Sequence, residues 1–112
     1  MEKIRYNEVD DILYVDISSK RTYVSASFTS KIILDLSESN AIVGVEILDA
    51  SELLFELFQH TIPKKDFTRL LVKISDKEDV VTIRFGLEEH GKIEYNTLAL
   101  PKSYESPILA VS

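Results

Sequence analysis

The segment Ile42-Val43-Gly44-Val45-Glu46-Ile47-Leu48-Asp49-Ala50-Ser51-Glu52-Leu53-Leu54-Phe55-Glu56-Leu57-Phe58 changes its hydrophobic period halfway along. Up to Leu48, Val43, Val45 and Ile47 alternate with Gly44 and Glu46, the two-residue period of a strand. Beyond Asp49, the apolar residues Ala50, Leu53, Leu54, Leu57 and Phe58 recur at helical spacing and draw one stripe. A strand running directly into an amphipathic helix calls for a sheet with one greasy face on which that helix lies. Asp49 and Glu52 stand where an N-cap and its reciprocal partner belong, so they are expected to cap a helix over 49–60. His60 in the last turn and Pro63 beyond it supply the stop.

Upstream, the same two-residue rhythm repeats at intervals of about ten residues. Lys3–Tyr6, Ile12–Ile17, Thr22–Phe28 and Lys31–Leu36 read as strands, separated by the polar breaks 8–11, 18–21 and 37–40. Downstream, Leu70–Ile74, Val80–Leu87 and Lys92–Leu98 read as three more, with Gly91 suited to a tight turn and Ile108–Val111 as a further edge strand. The fold class predicted is α+β: an antiparallel β-meander packed against one α-helix, followed by additional antiparallel strands. No linker-like composition divides the chain. The 112 residues are expected to form a single domain, with 1–60 as meander plus helix and 61–112 as a β-rich extension. A faint echo aligns Ile4–Ile17 with Val72–Phe85, both reading strand, acidic turn, strand.

If Leu13, Val15, Ile17, Val24, Ala26, Phe28, Ile32, Leu34, Leu36, Val43, Val45 and Ile47 seat the helix, the opposite face is mixed. It carries Ile12, Tyr14, Asp16, Tyr23, Ser25, Ser27, Ile33, Asp35, Ile42, Gly44 and Glu46. A patch of Tyr and Ile rimmed by charge is the composition of a binding surface. Tyr14, Asp16, Tyr23, Ile33, Asp35, Gly44 and Glu46 are therefore the expected partner-binding residues. The face is covered either by the C-terminal strands or by another protein. Gly44, inside a strand, implies close approach of Tyr14 or Tyr23 across the sheet, or else a bulge.

Composition narrows the function. Thirteen Lys and Arg against nineteen Asp and Glu give −6. Residues 1–56 hold five basic and eleven acidic side chains, whereas 57–112 hold eight of each. An acidic half repels phosphate backbones and attracts a basic protein, which disfavours nucleic acid and favours a protein partner or self-association. No apolar run approaches the ~18 residues of a membrane span, and charge begins at Glu2, so neither membrane nor secretory signal is expected and the location is cytoplasmic. The absence of cysteine removes disulfides and thiolate chemistry. One Gln and three Asn hint at a thermophile's economy in labile residues.

Two segments together, Asp11-Ile12-Leu13-Tyr14-Val15-Asp16-Ile17 and Ile42-Val43-Gly44-Val45-Glu46-Ile47-Leu48-Asp49-Ala50-Ser51, resemble the small prokaryotic domain-of-unknown-function family numbered 2283. Tyr6, Asp10-Asp11 and Ile33-Leu34-Asp35 fit the same pattern. The resemblance spans about residues 3–58 and leaves 67–112 as an extension. It implies a fold for the first half and, because an antitoxin role has been suggested for some members, a protein partner. No basic DNA-binding segment accompanies it here.

Other chemistry is thinly represented. Asp10, Asp11, Asp16, Asp35, Glu46 and Asp49 are candidates for a hard-cation site, although their spacing lacks the alternating ligands of a calcium loop. His60 and His90 have no zinc-motif partners. Ser51 lacks the flanking glycines of a nucleophile elbow. No catalytic residue, metal set or cofactor is assigned. The expected function is a small non-catalytic interaction module, antitoxin-like or homodimeric. The alternative is a small-molecule or divalent-metal site using the acids and tyrosines of the outer face.

Overall fold

In a computed structural model of the chain, residues 3–101 are described. Five strands, β1 (Lys3–Asn7), β2 (Ile12–Asp16), β3 (Val24–Ser27), β4 (Ile32–Leu36) and β5 (Ile42–Leu48), lead into α1 (Ala50–Phe58). A 3-10 helix (Lys64–Arg69) then precedes β6 (Leu71–Asp76), β7 (Val80–Glu89) and β8 (Lys92–Pro101). The strand expected at 108–111 lies outside the described residues.

The strands form two antiparallel sheets, ordered β1-β2-β5-β4-β3 and β6-β7-β8. The first is meander-like. A hairpin and a three-strand meander each run in succession, and β5 joins them by pairing with β2. The centre of that sheet is therefore the strand that feeds the helix. The β7–β8 turn has two residues with positive φ, His90 (53°) and Gly91 (76°), matching the right-handed twist of a hairpin. The two echoing segments are the hairpins β1–β2 and β6–β7. Their pairings differ: Ile4 faces Val15, whereas Val72 faces Phe85, two residues beyond the aligned position. The likeness is one of turn chemistry.

Leu13, Val15, Ile32, Leu34, Leu36, Val45 and Ile47 are buried on one face of the first sheet, together with Ala50, Leu54 and Phe58 of α1. Leu53 and Leu57 pack at the margin of this cluster, completing the helix stripe. Val72, Val81, Ile83, Phe85, Leu87 and Leu100 of the second sheet join the same cluster. Phe67, in the 3-10 helix, is 1% exposed and meets the ring of Tyr6 edge-on, with centroids 4.7 Å apart. Burying a side chain of this size contributes about 1.5–3 kcal/mol. The C-terminal sheet thus shares the core on the helix side and does not blanket the opposite face of the first sheet.

Four expectations are corrected here. The helix spans 50–58, ended by Gln59 in the left-handed region, and His60 lies past its end, bonded to Glu94 at 3.1 Å. Asp49 and Glu52 do not form a capping box. Asp49 occupies the N-cap position but adopts φ 51° and makes no side-chain cap bond, its carboxylate pairing instead with Lys31. Capping comes from Asp11, forty residues earlier: its backbone carbonyl accepts from Ala50, and its carboxylate accepts from the amide and hydroxyl of Ser51. Val24 is 45% exposed because β3 is an edge strand. Ile42 turns toward the core because the β4–β5 register slips between Asp35 and Leu36, placing Leu36 opposite Ile42.

Candidate functional site

The face of the first sheet away from α1 is built by the strand register. One row across the strands reads Lys3, Asp16, Gly44, Asp35, Ser25, and the next reads Arg5, Tyr14, Glu46, Ile33, Ser27. Six of the seven expected partner-binding residues, Tyr14, Asp16, Ile33, Asp35, Gly44 and Glu46, therefore sit side by side on β2, β4 and β5. Tyr14, Asp16, Ile33, Asp35 and Glu46 are half-buried, which is the state of side chains standing on an uncovered sheet. Tyr23 is separate. It precedes β3, is 71% exposed and lines a hollow of about 370 Å³ with Arg21, Thr22 and Glu38.

The network is continuous at both ends. On β1, Arg5 donates to Asp16 from Nε (2.8 Å) and Nη2 (3.2 Å), and its guanidinium lies 4.7 Å from the centre of the Tyr14 ring. Hydrogen bonding to Arg5 holds the Asp16 carboxyl below its ordinary range. On the far side, Ser25 donates to Asp35 at 2.6 Å. Between them stands Glu46, whose carboxyl is pushed up by burial and by the negative charge of Asp35 beside it. Neither Asp35 nor Glu46 forms an ion pair among the described residues.

Gly44 has a reason that differs from the expected ring. A Cβ placed there would lie 2.9 Å from Asp35 Oδ2 and 3.4 Å from the Val15 carbonyl oxygen. The carboxylate of Asp35 lies across the glycine, so the missing side chain makes room for a charge and not for Tyr14 or Tyr23. The bulge considered at Gly44 lies beside it on the same strand: Asp35 and Leu36 pair with Gly44 and Ile42, which leaves Val43 as the extra residue of β5.

The candidate cation ligands do not gather. Asp16 is held by Arg5, Asp35 leans to Ser25, Asp49 pairs with Lys31, and Asp11 is committed to Tyr6 (2.6 Å) and Ser51 (2.6 Å). Among the described residues, no three His, Cys, Asp or Glu side chains are grouped to hold a metal ion. Also among those residues, no helix is long and apolar enough to cross a membrane.

Sequence reasoning missed the Tyr6–Asp11–Ser51 cluster. Partial burial pushes the Asp11 carboxyl up, but hydrogen bonds from Ser51 and Tyr6 outweigh it and hold the carboxyl below its usual range. Tyr6, partly buried and donating to Asp11, is raised in turn. The signal was present in the coincidence of Tyr6, Asp11 and Ser51 within the family-like pattern, but local capping rules point to Asp49. The cluster ties β1, the first turn and the helix start, a structural task.

No curated protein and no solved structure matches the chain. Residues 3–51 match the model of the family described as "Protein of unknown function (DUF2283)"; the match spans β1–β5 and reaches the start of α1, while the sheet β6–β8 lies beyond it.

Proposed function

We propose that the protein is a non-catalytic interaction module that docks a cationic protein surface on the outer face of the first sheet. The observation that carries this reading is the Asp35–Glu46 pair. Two neighbouring carboxylates stand on β4 and β5 without a cation of their own, framed by the half-buried Tyr14 and Ile33. An incoming Lys or Arg relieves their mutual repulsion and forms charge-assisted hydrogen bonds, while Tyr14 and Ile33 supply the apolar contact. The acidic excess of residues 1–56 draws such a partner in and orients it. In the antitoxin-like form of this reading, the partner is a small basic protein encoded beside this one in the cytoplasm.

The test is co-expression with such a neighbour, followed by size-exclusion chromatography. A stable complex is expected, abolished by Glu46→Lys combined with Ile33→Asp and retained by Leu71→Asp on the other sheet. A complex indifferent to the first-sheet pair overturns the reading.

A further inference from the structure

The second sheet also has a face turned away from the core. The register places Leu71, Gly86 and Tyr95 in one row and Lys73, Arg84 and Thr97 in the next, with Ile93 adjoining. Leu71, Ile93 and Tyr95 are 48%, 41% and 46% exposed, a cluster of large apolar side chains that the fold leaves open. The Arg84 guanidinium lies 3.8 Å from the centre of the Tyr95 ring. Leu71, Val72, Lys73, Arg84 and Tyr95 line a hollow of about 270 Å³. Neither Lys73 nor Arg84 forms an ion pair among the described residues.

The two outer faces are complementary at their centres, with Lys3 and Arg5 at the β1 side of the first and Glu88 opposite Ile93 on the second. One has two carboxylates lacking a cation beside Tyr14 and Ile33. The other has two cations lacking a carboxylate beside Tyr95 and Leu71. Both turn away from the shared core, so they meet only between molecules.

We propose that the outer face of the second sheet, through Lys73, Arg84, Tyr95 and Leu71, docks on the Asp35–Glu46 face of another copy of this chain, head to tail. This rests on the docking reading above and adds to it: a second copy holds the site while the cationic partner is absent, and the partner displaces it. The contact is heterologous, joining different patches on the two copies, so it leaves one free face of each kind at the ends and allows further addition. Its size is limited by the smaller sheet. Three strands at ~4.8 Å and six paired rows at ~3.4 Å give a footprint of roughly 300 Å². That falls well below the ~800 Å² per partner of a standard interface, so the association is weak and reversible.

Sedimentation velocity from low to high micromolar concentration tests this. The wild type is expected to gain average mass with concentration and to lose that gain as salt shrinks the screening length from ~10 Å at 0.1 M to ~3 Å at 1 M. Glu46→Lys and Arg84→Glu, each a surface change that leaves the core intact, are each expected to stay monomeric. Mixed in equal amounts, they recover an intact pair of faces, Arg84 of one against Glu46 of the other, and are expected to associate again. A mixture that remains monomeric, or an Arg84→Glu variant that associates like the wild type, overturns the inference. A monomeric wild type that still binds a basic partner through Glu46 overturns it too, while leaving the docking reading standing. Loss of both behaviours removes both.

Discussion

Each sheet carries a glycine in the middle of a strand, and each covers it with the side chain directly across. Gly44 lies under the Asp35 carboxylate, and Gly86 lies under the Tyr95 ring, whose Cε1 would be 2.8 Å from an added Cβ. The backbone device is the same, a missing side chain that lets a neighbour fold flat, but the chemistry is opposite. On the first sheet it gathers negative charge into a half-buried row. On the second it lays an aromatic ring flat and gives Arg84 a surface to stack on. A strand glycine thus marks where a face has been shaped, and the neighbour across the register, not the glycine, says for what.

The strongest way to break this comparison is to separate the sheets. Phe85 is fully buried in the cluster that both sheets share. Phe85→Ala is expected to cost ~3–5 kcal/mol and to lower one common unfolding transition. Calorimetry showing two transitions, with one unmoved, would mean that the halves have independent cores. Asp11→Ala comes next, at ~2–3 kcal/mol, because it strips a charged acceptor from Tyr6, Ser51 and the helix start. Asp11→Asn, which tolerates the left-handed backbone at φ 54°, is expected to recover part of that loss in chemical denaturation. A neutral Asp11→Ala would show that the family-like half holds its helix by packing alone.

The two glycines themselves sharpen the contrast. Gly44→Ala forces Asp35 off Ser25 and crowds the Val15 carbonyl oxygen, with an expected net cost near 1 kcal/mol. Gly86→Ala only swings an exposed ring toward water, and the backbone entropy recovered, ~0.5–1 kcal/mol, roughly offsets the lost stacking. Denaturation midpoints falling in the reverse order would undo the account of the two roofs.

Smallest is the pH effect. Glu46 has a folded pKa above its unfolded one, so its contribution is favourable at acid pH and declines as pH rises through the folded value. Glu46→Gln is therefore expected to raise stability at neutral pH by less than ~1 kcal/mol and to make no difference in acid. Asp16, shifted down by Arg5, behaves oppositely: its contribution is present above the unfolded pKa and is lost as pH falls through the folded value. Stability curves of the Glu46→Gln and Asp16→Asn variants should both depart from wild type at neutral pH, the first upward and the second downward, and both converge on it in acid.

Much of this was legible in the order of residues. Alternation at Ile12–Asp16, Ile32–Leu36 and Ile42–Leu48 separated core face from outer face, because a strand's period of two leaves little freedom once one side must be buried. Six of the seven outer-face residues followed from that alone. Tyr23 did not, since it precedes the edge strand β3, where its backbone N–H still donates to the Leu36 carbonyl oxygen while its side chain stands 71% exposed. Asp49 misled because a cap is judged from neighbours in sequence, whereas the helix start is within reach of the β1–β2 turn. The strand read at Leu70–Ile74 leaves Phe67 without a place ahead of it, yet Phe67 belongs to the 3-10 helix Lys64–Arg69 and packs against the ring of Tyr6.

Periodicity, turns and charge settled the elements, their faces and the acidic bias, for these depend on local geometry and on counting. Which strands became neighbours, that β5 would lie beside β2, that Asp11 would cap α1 and that Asp35 would cover Gly44 required the folded chain. Those contacts join residues far apart in sequence, and their energies exist only once the register has brought the partners together.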